Sequence, residues 1–455
     1  MNNTIAAIST PIGRGGVAMI RISGDEALNV AEKVFIPKSK KKLSDNPSRF
    51  SVYGDIVSEG RVIDDGMAVV FRAPHSYTGE EVVEITCHGG ILLSAKVLEA
   101  VFTAGAEPAG RGEFTKRAFL SGKLSLTEAE GVIDLIDAES DEALRLAKSH
   151  VDGVISSEID RLYSEMRDLL SEIYVFADYP DEDLNDVGSE EMEEILGQIA
   201  DDLEKLASSY DIGRAINEGV STVLCGKPNT GKSSILNLIL GKDRAIVSDV
   251  PGTTRDTIEE TVHLGAATLR LIDTAGIRES DDGIEKIGVE RSLDAIENAE
   301  LILAVFDGSE QFTKEDQEVI TLARKSNAVK IALLNKSDLG KADNAIPDIF
   351  DRVIETSAVD GRGLDGLRDA VNEIFQTGKI DYNFTPVLSS ARQSAAVKRS
   401  REAVLNALNA LRNGFTPDVA GTDVEIAMAE LGQTDGREVS GDIVDSIFHR
   451  FCVGK

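Results

Sequence analysis

Cysteine is scarce in this 455-residue sequence: Cys87, Cys225 and Cys452 are the whole supply. They are odd in number and too far apart for a zinc-ligand pattern, so neither a disulfide framework nor a structural zinc site is expected. That usage suits a reducing compartment, and the cytoplasm is the expected address. Long apolar runs are missing as well. No stretch reaches the roughly 18 apolar residues of a transmembrane helix. The first residues, Met1-Asn-Asn-Thr-Ile-Ala6, lack the basic-then-apolar pattern of a secretory leader. No membrane partner is expected. Positive charge is in deficit, with 48 Lys and Arg against 79 Asp and Glu and a formal net charge of −31. On average such a surface repels phosphate backbones, which excludes a nucleic-acid glove over the whole molecule. Local basic patches or a basic partner can still bring RNA in, while most of the acid reads as solvated faces that favour solubility. Repeats and low-complexity tracts are absent.

What is present is an ordinary globular composition, 42% hydrophobic and 28% charged, in a chain long enough for about two to four domains. Residues 1–119 mix glycine turns with the β-rich runs Val17–Ile22, Gly66–Phe71 and Val82–Thr86, and Gly90–Ala104 has helical period. That predicts an α+β domain. From about Leu124 the pattern turns to long amphipathic helices. Ile155, Ile159, Leu162, Met166, Leu169 and Ile173 share one face, and Met192, Ile195, Ile199, Leu203 and Leu206 repeat it. Pro180 cannot continue the first of these helices. Over 218–379, strands alternate with helices: Ser221–Cys225, Ala267–Ile272, Leu301–Phe306, Lys330–Leu334 and Val353–Glu355. This predicts a doubly wound α/β unit. Helical period returns through Leu388–Leu411, Val424–Leu431 and Ile443–Phe451. The expected division is therefore 1–119, a helical domain of 120–217 and 380–455, and an α/β domain of 218–379 inserted into it.

Gly226-Lys-Pro-Asn-Thr-Gly-Lys-Ser233 lies between a predicted strand and a predicted helix, the context a P-loop requires. Its glycines let backbone N–H groups face phosphate oxygens, and the helix N-terminus adds a positive dipole end. Asn229, Thr230, Gly231, Lys232, Ser233 and Ser234 are the expected nucleotide contacts, with Lys232 reaching the β and γ phosphates as a catalytic cation and Ser233 binding Mg²⁺. Gly252-Thr253-Thr254 supplies Thr254 as a second Mg²⁺ ligand. Asp273, Thr274, Ala275 and Gly276 follow, the aspartate behind the Mg²⁺ shell and Gly276 offering an N–H to the γ-phosphate. In Asn335-Lys336-Ser-Asp338 the aspartate can accept from guanine N1–H and N2–H₂, a donor pair that adenine lacks. Ser357-Ala358 can cap guanine O6. The order and spacing of these elements predict a Ras-like G domain that binds GTP and GDP. One position departs from the Ras pattern: Ile277 stands where a glutamine orients the attacking water, and no finger arginine is identifiable, although Arg255 and Arg278 are near in sequence. Glu285 is the candidate for positioning water, although on the sequence alone it reads first as a solvated glutamate at a helix start.

The whole chain resembles the MnmE (TrmE) family of tRNA-modification GTPases, of the TrmE-Era-EngA-YihA-Septin-like class. The stretches that carry the resemblance are Gly13–Val17, Arg21–Gly24, Tyr77–Glu80, His88–Gly90 and Gly112–Phe119, together with the G-domain series and Phe451-Cys-Val-Gly-Lys455. Arg111 stands where the family commonly has proline. The resemblance implies an N-terminal folate-binding and dimerisation domain and a homodimer. It also implies a heterotetramer with the FAD-dependent partner MnmG (GidA). Together the two add an aminomethyl or carboxymethylaminomethyl group to C5 of the wobble uridine, U34, of certain tRNAs. The carbon comes from a tetrahydrofolate derivative, 5-formyl or 5,10-methylene. Arg21, Glu84, Lys123 and Lys455 match the family's folate contacts. Without the resemblance Arg21 and Glu84 read as ordinary strand charges and Lys123 as a helix-start charge.

The resemblance also implies activation by K⁺, with oxygens from Asn229, Ser248, Val250 and Thr253, and a loop of Ser248, Asp249, Val250, Pro251, Gly252, Thr253 and Thr254 wrapped around the nucleotide and ion. Glu285 matches the water-positioning glutamate. Cys452, a small buried hydrophobe on a terminal helix by its own pattern, becomes a candidate proton donor or nucleophile. Two rival readings stay open at this point: a ribosome-assembly GTPase that acts as an rRNA switch, and a folate-dependent transferase whose G domain is only regulatory. The first usually adds a basic RNA-binding module such as KH, which is not visible here.

Overall fold

In the computed structural model the described residues are 3–178, 189–242, 260–272, 296–378 and 380–455. The chain separates into two compact units, one of Met1–Ile133, His150–Arg167 and Met428–Lys455, the other of Asp134–Ser149 and Asp168–Ala427.

The first unit is built on a seven-stranded sheet in which β1 (Ile5–Ile8), β2 (Val17–Ser23), β3 (Phe35–Pro37), β4 (Ser51–Ser58), β5 (Arg61–Phe71), β6 (Val82–His88) and β7 (Glu107–Pro108) run in the order β3-β4-β5-β6-β2-β1-β7. Only β1 and β7 pair in parallel. Period-2 alternation decides its two faces. Ala18, Ile20 and Ile22 of β2 join Val83, Ile85 and Cys87 of β6 in one buried core with α1 (Ala27–Val34) and α2 (Ile91–Thr103). Each fully buried Ile or Val in such a core contributes about 1.5–3 kcal/mol. Arg21 and Glu84 are register partners on the opposite face. Beyond the sheet come α3 (Glu113–Leu120) and α4 (Leu126–Asp137).

Three helices follow, α5 (Asp141–Val151), α6 (Val154–Asp178) and α7 (Ser189–Asn217); α6 is divided between the units at Arg167, and α7 belongs wholly to the second. The face Ile155–Ile173 expected from the sequence is buried at all six positions. On α7 the buried stripe is Met192, Leu196, Ile199, Leu203 and Leu206, with Ile195 only half-buried. Leu196, one step on, completes the 4-3-4-3 spacing that keeps a stripe on one face. The α/β part follows α7. Its strands are β8 (Val220–Cys225), β9 (Glu260–Leu264), β10 (Ala267–Ile272), β11 (Leu301–Asp307), β12 (Val329–Asn335) and β13 (Arg352–Glu355), in the order β13-β12-β11-β8-β10-β9. All pair in parallel except β9 with β10. All seven residues of β11 are buried, the continuous pattern of a strand covered on both faces. Chain order reverses beside β8, so the crevice at its carboxyl end is where this topology places a ligand. The helices α8 (Lys232–Lys242), α9 (Lys314–Lys325) and α10 (Leu364–Ile374) belong to this part. The second unit also holds α11 (Ala391–Arg412), which packs along α7; α12 (Pro417–Asp435) begins in the second unit and ends in the first, and α13 (Gly441–His449) belongs to the first.

Candidate functional site

The carboxyl end of β8 delivers Gly226, whose φ of +155° and a Cβ position 2.3 Å from Val305 O leave room for no side chain. Gly231, at φ +94°, would put a Cβ 2.2 Å from Asn335 Nδ2. Asn229 takes the left-handed region too, at φ +65°. Between these turns the loop closes on its own lysine: Lys232 Nζ donates to Gly226 O at 2.7 Å and Lys227 O at 2.8 Å. Thr230 Oγ1 donates to the same Lys227 carbonyl at 3.0 Å. Burial pushes the Lys232 ammonium below its ordinary value. An anion brought to this loop would offset that desolvation, so the cradle fits a polyphosphate. Asn229, Ser233 and Ser234 are exposed at its mouth.

Asn335 ties the loop to the base-reading side. Its Nδ2 donates to Thr230 O at 2.8 Å, and its Oδ1 accepts from Ala358 N at 3.2 Å. Lys336, at φ +63°, pairs with Asp307 at 2.6 Å. Burial raises the Asp307 carboxyl, but bonds from Lys336 and Ser309 outweigh it and hold the group below the ordinary carboxylate range. Ser337 N bonds Thr356 O at 3.0 Å, so the turn that presents the exposed Asp338 is pinned from behind. Ser357 is buried and Ala358 half-buried beside Asn335. The P-loop, Asn335 to Asp338 and Ser357-Ala358 are thus brought together as the motif order predicts. Ser248, Asp249, Val250, Pro251, Gly252, Thr253, Thr254, Asp273, Thr274, Ala275, Gly276 and Glu285 lie outside the described residues, as do Arg255, Ile277 and Arg278.

Sequence reasoning missed one anchor. Lys227 Nζ pairs at 2.8 Å with Asp316, which is 1% exposed. Asp316 also accepts from Thr313 N at 2.7 Å and Thr313 Oγ1 at 2.8 Å, at the N-terminus of α9. Burial raises its carboxyl, and the Lys227 and Thr313 bonds more than reverse this. The pair therefore stabilises the fold above the unfolded carboxylate pKa and is lost as pH falls through the lowered folded value. Lys227→Ala leaves a buried carboxylate without its cation, and we expect it to cost about 3 kcal/mol of stability. Thermal melts of Lys227→Ala and of the double variant Lys227→Ala/Asp316→Asn test this: the single variant should melt lower and the double should recover part of the loss. An unchanged melt in the single variant would remove the anchor.

A second group of predicted residues meets in the first unit. Arg21 Nε and Nη2 both reach Glu84 Oε1 at 2.9 Å, and Arg21 Nη1 donates to Gly454 O at 3.4 Å. The guanidinium lies over the Tyr77 and Phe114 rings, 5.2 and 5.6 Å from their centroids. Residues 452–455 are threaded beside this pair. Val453 bridges Arg111, Ser9 Oγ donates to Gly454 O at 3.0 Å, and Phe114 N bonds Lys455 O at 3.3 Å. Gly454, at φ +100° with a Cβ position 2.3 Å from Ile8 O, has no room for a side chain. Lys455 is held below the ordinary lysine value by burial first and then by Arg21, with Glu84 opposing. Arg21, Glu84 and Lys455 are therefore neighbours. Lys123 is exposed and donates to Pro74 O at 3.0 Å, and among the described residues no contact joins it to the other three.

Cys452 departs from its sequence-based placement. Helix α13 ends at His449, and Cys452 is exposed in the extended segment beyond it, where its carbonyl accepts from Gly112 N at 3.4 Å. Phe451 ends the helical pattern by stacking on Phe448, ring centroids 5.4 Å apart, in the core with Leu126 and Ile133. Two further groups were not foreseen. Buried Arg117 binds Glu80 at 3.0 Å and Glu113 at 2.8 Å, which links the stretches Tyr77–Glu80 and Gly112–Phe119. Asp64, Asp65 and His88 place ligand atoms within 4.8 Å of one another.

Family models for the GTP-binding protein TrmE N-terminus and the MnmE helical domain match residues 4–123 and 126–452. A tRNA modification GTPase MnmE from Clostridioides difficile is 39% identical over 459 residues, covering 100% of both chains. Its counterpart from Natranaerobius thermophilus is 38% identical, covering 100% of this chain and 99% of its own. The solved G domain of the T. maritima FeoB iron transporter aligns with 33% of this chain and 96% of its own, at 22% identity and a TM-score of 0.25. On the full-length identity and the two family models, the chain belongs to the MnmE (TrmE) family of tRNA modification GTPases.

Proposed function

We propose that the chain hydrolyses GTP and, with an FAD-dependent MnmG-type partner, modifies C5 of the wobble uridine of certain tRNAs with a folate-derived carbon. The observation that carries the GTPase half is Asn335, which bonds the P-loop at Thr230 and the guanine-capping segment at Ala358 and so fixes phosphate and base sites on one frame. Family membership carries the tRNA half. In this reading Lys232 exchanges its loop carbonyls for β and γ phosphate oxygens. Ser233 and Thr254 would hold Mg²⁺, which neutralises phosphate charge. Asn229, Ser248, Val250 and Thr253 would hold K⁺ in place of a finger arginine, and Glu285 orients water toward the γ-phosphate.

Arg21, Glu84 and Lys455, with the Tyr77 and Phe114 rings beneath Arg21, form the proposed folate site, and Lys123 would approach it from the Pro74 side. The group bound there supplies the one-carbon unit. Glu84 offers a carboxylate acceptor to ring N–H groups, while Arg21 and Lys455 suit carboxylates. The proposed assembly is a homodimer through residues 1–119, with the helical domain 120–217 and 380–455 carrying the G domain 218–379. The proposed compartment is the cytoplasm. Mass spectrometry of tRNA nucleosides from cells with and without the gene tests the modification reading: the modified wobble uridine should vanish without it, and unchanged nucleosides would overturn it.

The K⁺ assignment makes its own expectation. GTP hydrolysis should run on the order of tenfold faster in K⁺ than in Na⁺ at equal ionic strength, because an arginine finger is worth more than that in related enzymes. Equal rates in the two salts, or full K⁺ stimulation in Asn229→Ala, would sink it.

A further inference from the structure

Positive charge is not spread evenly over this acidic chain. Lys38, Lys40, Lys41 and Lys42 put four cations into five residues, a density that no other five-residue stretch of the sequence reaches. Arg49 follows, and over residues 38–50 the only opposing charge is Asp45. The fold gathers these residues at one end of a sheet edge. β3 is the edge strand of the seven-stranded sheet, and Pro37 faces Gly54 of β4 in antiparallel register. The chain past Pro37 therefore runs toward the beginning of β4, where Arg49 and Phe50 stand; Lys38 N bonds Tyr53 O at 3.0 Å along the way. Lys38, Lys40, Lys41, Lys42 and Arg49 are all exposed. Lys38 is engaged by Asp55. Among the described residues, Lys40, Lys41, Lys42 and Arg49 form no ion pair; Arg49 Nη2 donates to His75 O at 3.2 Å and keeps its charge unneutralised.

Beside them lies an apolar element that a merely solubilising loop does not need. The Phe50 ring is 56% exposed, and Tyr53, 50% exposed, is fixed by a 2.6 Å bond from its hydroxyl to Asp65. Cations on a loop next to an exposed ring match a phosphate backbone and an unstacked base. A polyanion meets net repulsion from a surface of charge −31, so it can settle only where the local field is inverted. We propose that Lys40, Lys41, Lys42 and Arg49, with Phe50, form an RNA-docking surface that receives the phosphate backbone of the tRNA substrate. The inference rests on the tRNA reading above and adds to it the face of the first unit that the RNA meets.

The test uses the full chain and an unmodified tRNA transcript with uridine at the wobble position, followed by fluorescence anisotropy across a salt series. Lys40→Glu/Lys41→Glu/Lys42→Glu should bind on the order of tenfold more weakly near 0.1 M salt, and its slope of log affinity against log salt should shrink by roughly two to three. Phe50→Ala should lose affinity several-fold with the slope unchanged, the separate signature of stacking. GTP hydrolysis should match wild type in both variants, which reports an intact fold. If wild type binds the transcript and the triple variant binds it equally with the same slope, the surface is overturned and the tRNA reading stands. Absence of binding by wild type overturns the surface as well, and the nucleoside analysis then decides the modification reading by itself. Loss of binding to phosphatidylserine vesicles in the triple variant, with tRNA binding unchanged, assigns the patch to anionic membranes and overturns the RNA proposal.

Discussion

Asp338→Asn is expected to weaken GTP binding about 10²–10³-fold and to improve binding of XTP. Guanine presents two donors, N1–H and N2–H₂, to one carboxylate, and a hydrogen bond to a charged acceptor is worth about 1.5–3 kcal/mol. Asparagine keeps one acceptor and turns the other oxygen into a donor that faces the N2 amino group. The result is one lost charge-assisted bond and one unpaired donor, together about 3–4 kcal/mol, and every ~1.4 kcal/mol is a factor of ten. Xanthine carries an oxygen at C2, which accepts what asparagine now donates. The fold should not suffer. Asp338 is exposed, and the turn that carries it is held by backbone bonds, Ser337 N to Thr356 O at 3.0 Å and Leu339 N to Lys336 O at 2.9 Å. Titration of the variant with labelled GDP, with GTP and XTP as competitors, reads both affinities. Unchanged GTP affinity would mean that Asp338 does not read the base.

Much of this frame was legible because it is written locally. The strands β8, β10, β11 and β12 fall within a residue or so of the apolar runs that predicted them, since a parallel strand buried on both faces has to be a continuous apolar stretch; β13, a largely exposed edge strand, matches its run as closely. The P-loop was legible for a similar reason: Gly226 and Gly231 occupy positions where a Cβ would strike Val305 O or Asn335, so glycine is required by the backbone itself. Strands of two or three residues were not legible. β3 and β7 are too short to show a period, and they exist because β4 and β1 offer them partners.

Contacts between residues remote in sequence were least visible. Lys227 and Asp316 stand 89 positions apart, and nothing in either neighbourhood separates a buried pair from two solvated charges. Arg21 and Glu84 each read as an outward strand charge. Only the antiparallel register of β2 on β6 sets them opposite each other, and only the chain around Gly454 closes over them. The end of α13 was misread for a different reason. Phe451 continues the apolar spacing of the helix but meets the core through a turn, because side-chain spacing cannot distinguish one more helical step from a ring that folds back onto Phe448.

That misreading bears on the largest expected effect, complete loss of wobble-uridine modification in Cys452→Ser with GTP hydrolysis near normal. A cysteine inside a terminal helix would be packing. Cys452 lies outside the helix and is the exposed one of the three cysteines. The other two are poor candidates for chemistry, since burial pushes Cys87 up to about 11 and Cys225 up to about 12, which keeps both as neutral thiols near pH 7. The segment that carries Cys452 is not loose: Gly112 N and Phe114 N bond the carbonyls of Cys452 and Lys455. The residues three positions on lie beside Arg21 and Glu84, the proposed folate contacts. The thiol is thus exposed on an anchored segment three residues before Lys455. Serine is nearly isosteric, and at an exposed position it changes neither packing nor charge, so a thermal melt of the variant should match wild type. Nucleoside mass spectrometry in cells that carry only Cys452→Ser, with phosphate release from the purified variant, reads the two activities separately. Brief alkylation of the native chain provides an independent arm: it should label Cys452 before Cys87 or Cys225 and abolish modification while GTP turnover continues. Normal modified-uridine levels in the serine variant would return Cys452 to a structural role. A matching fall in GTP hydrolysis would show that the substitution damages the fold and not the modification chemistry.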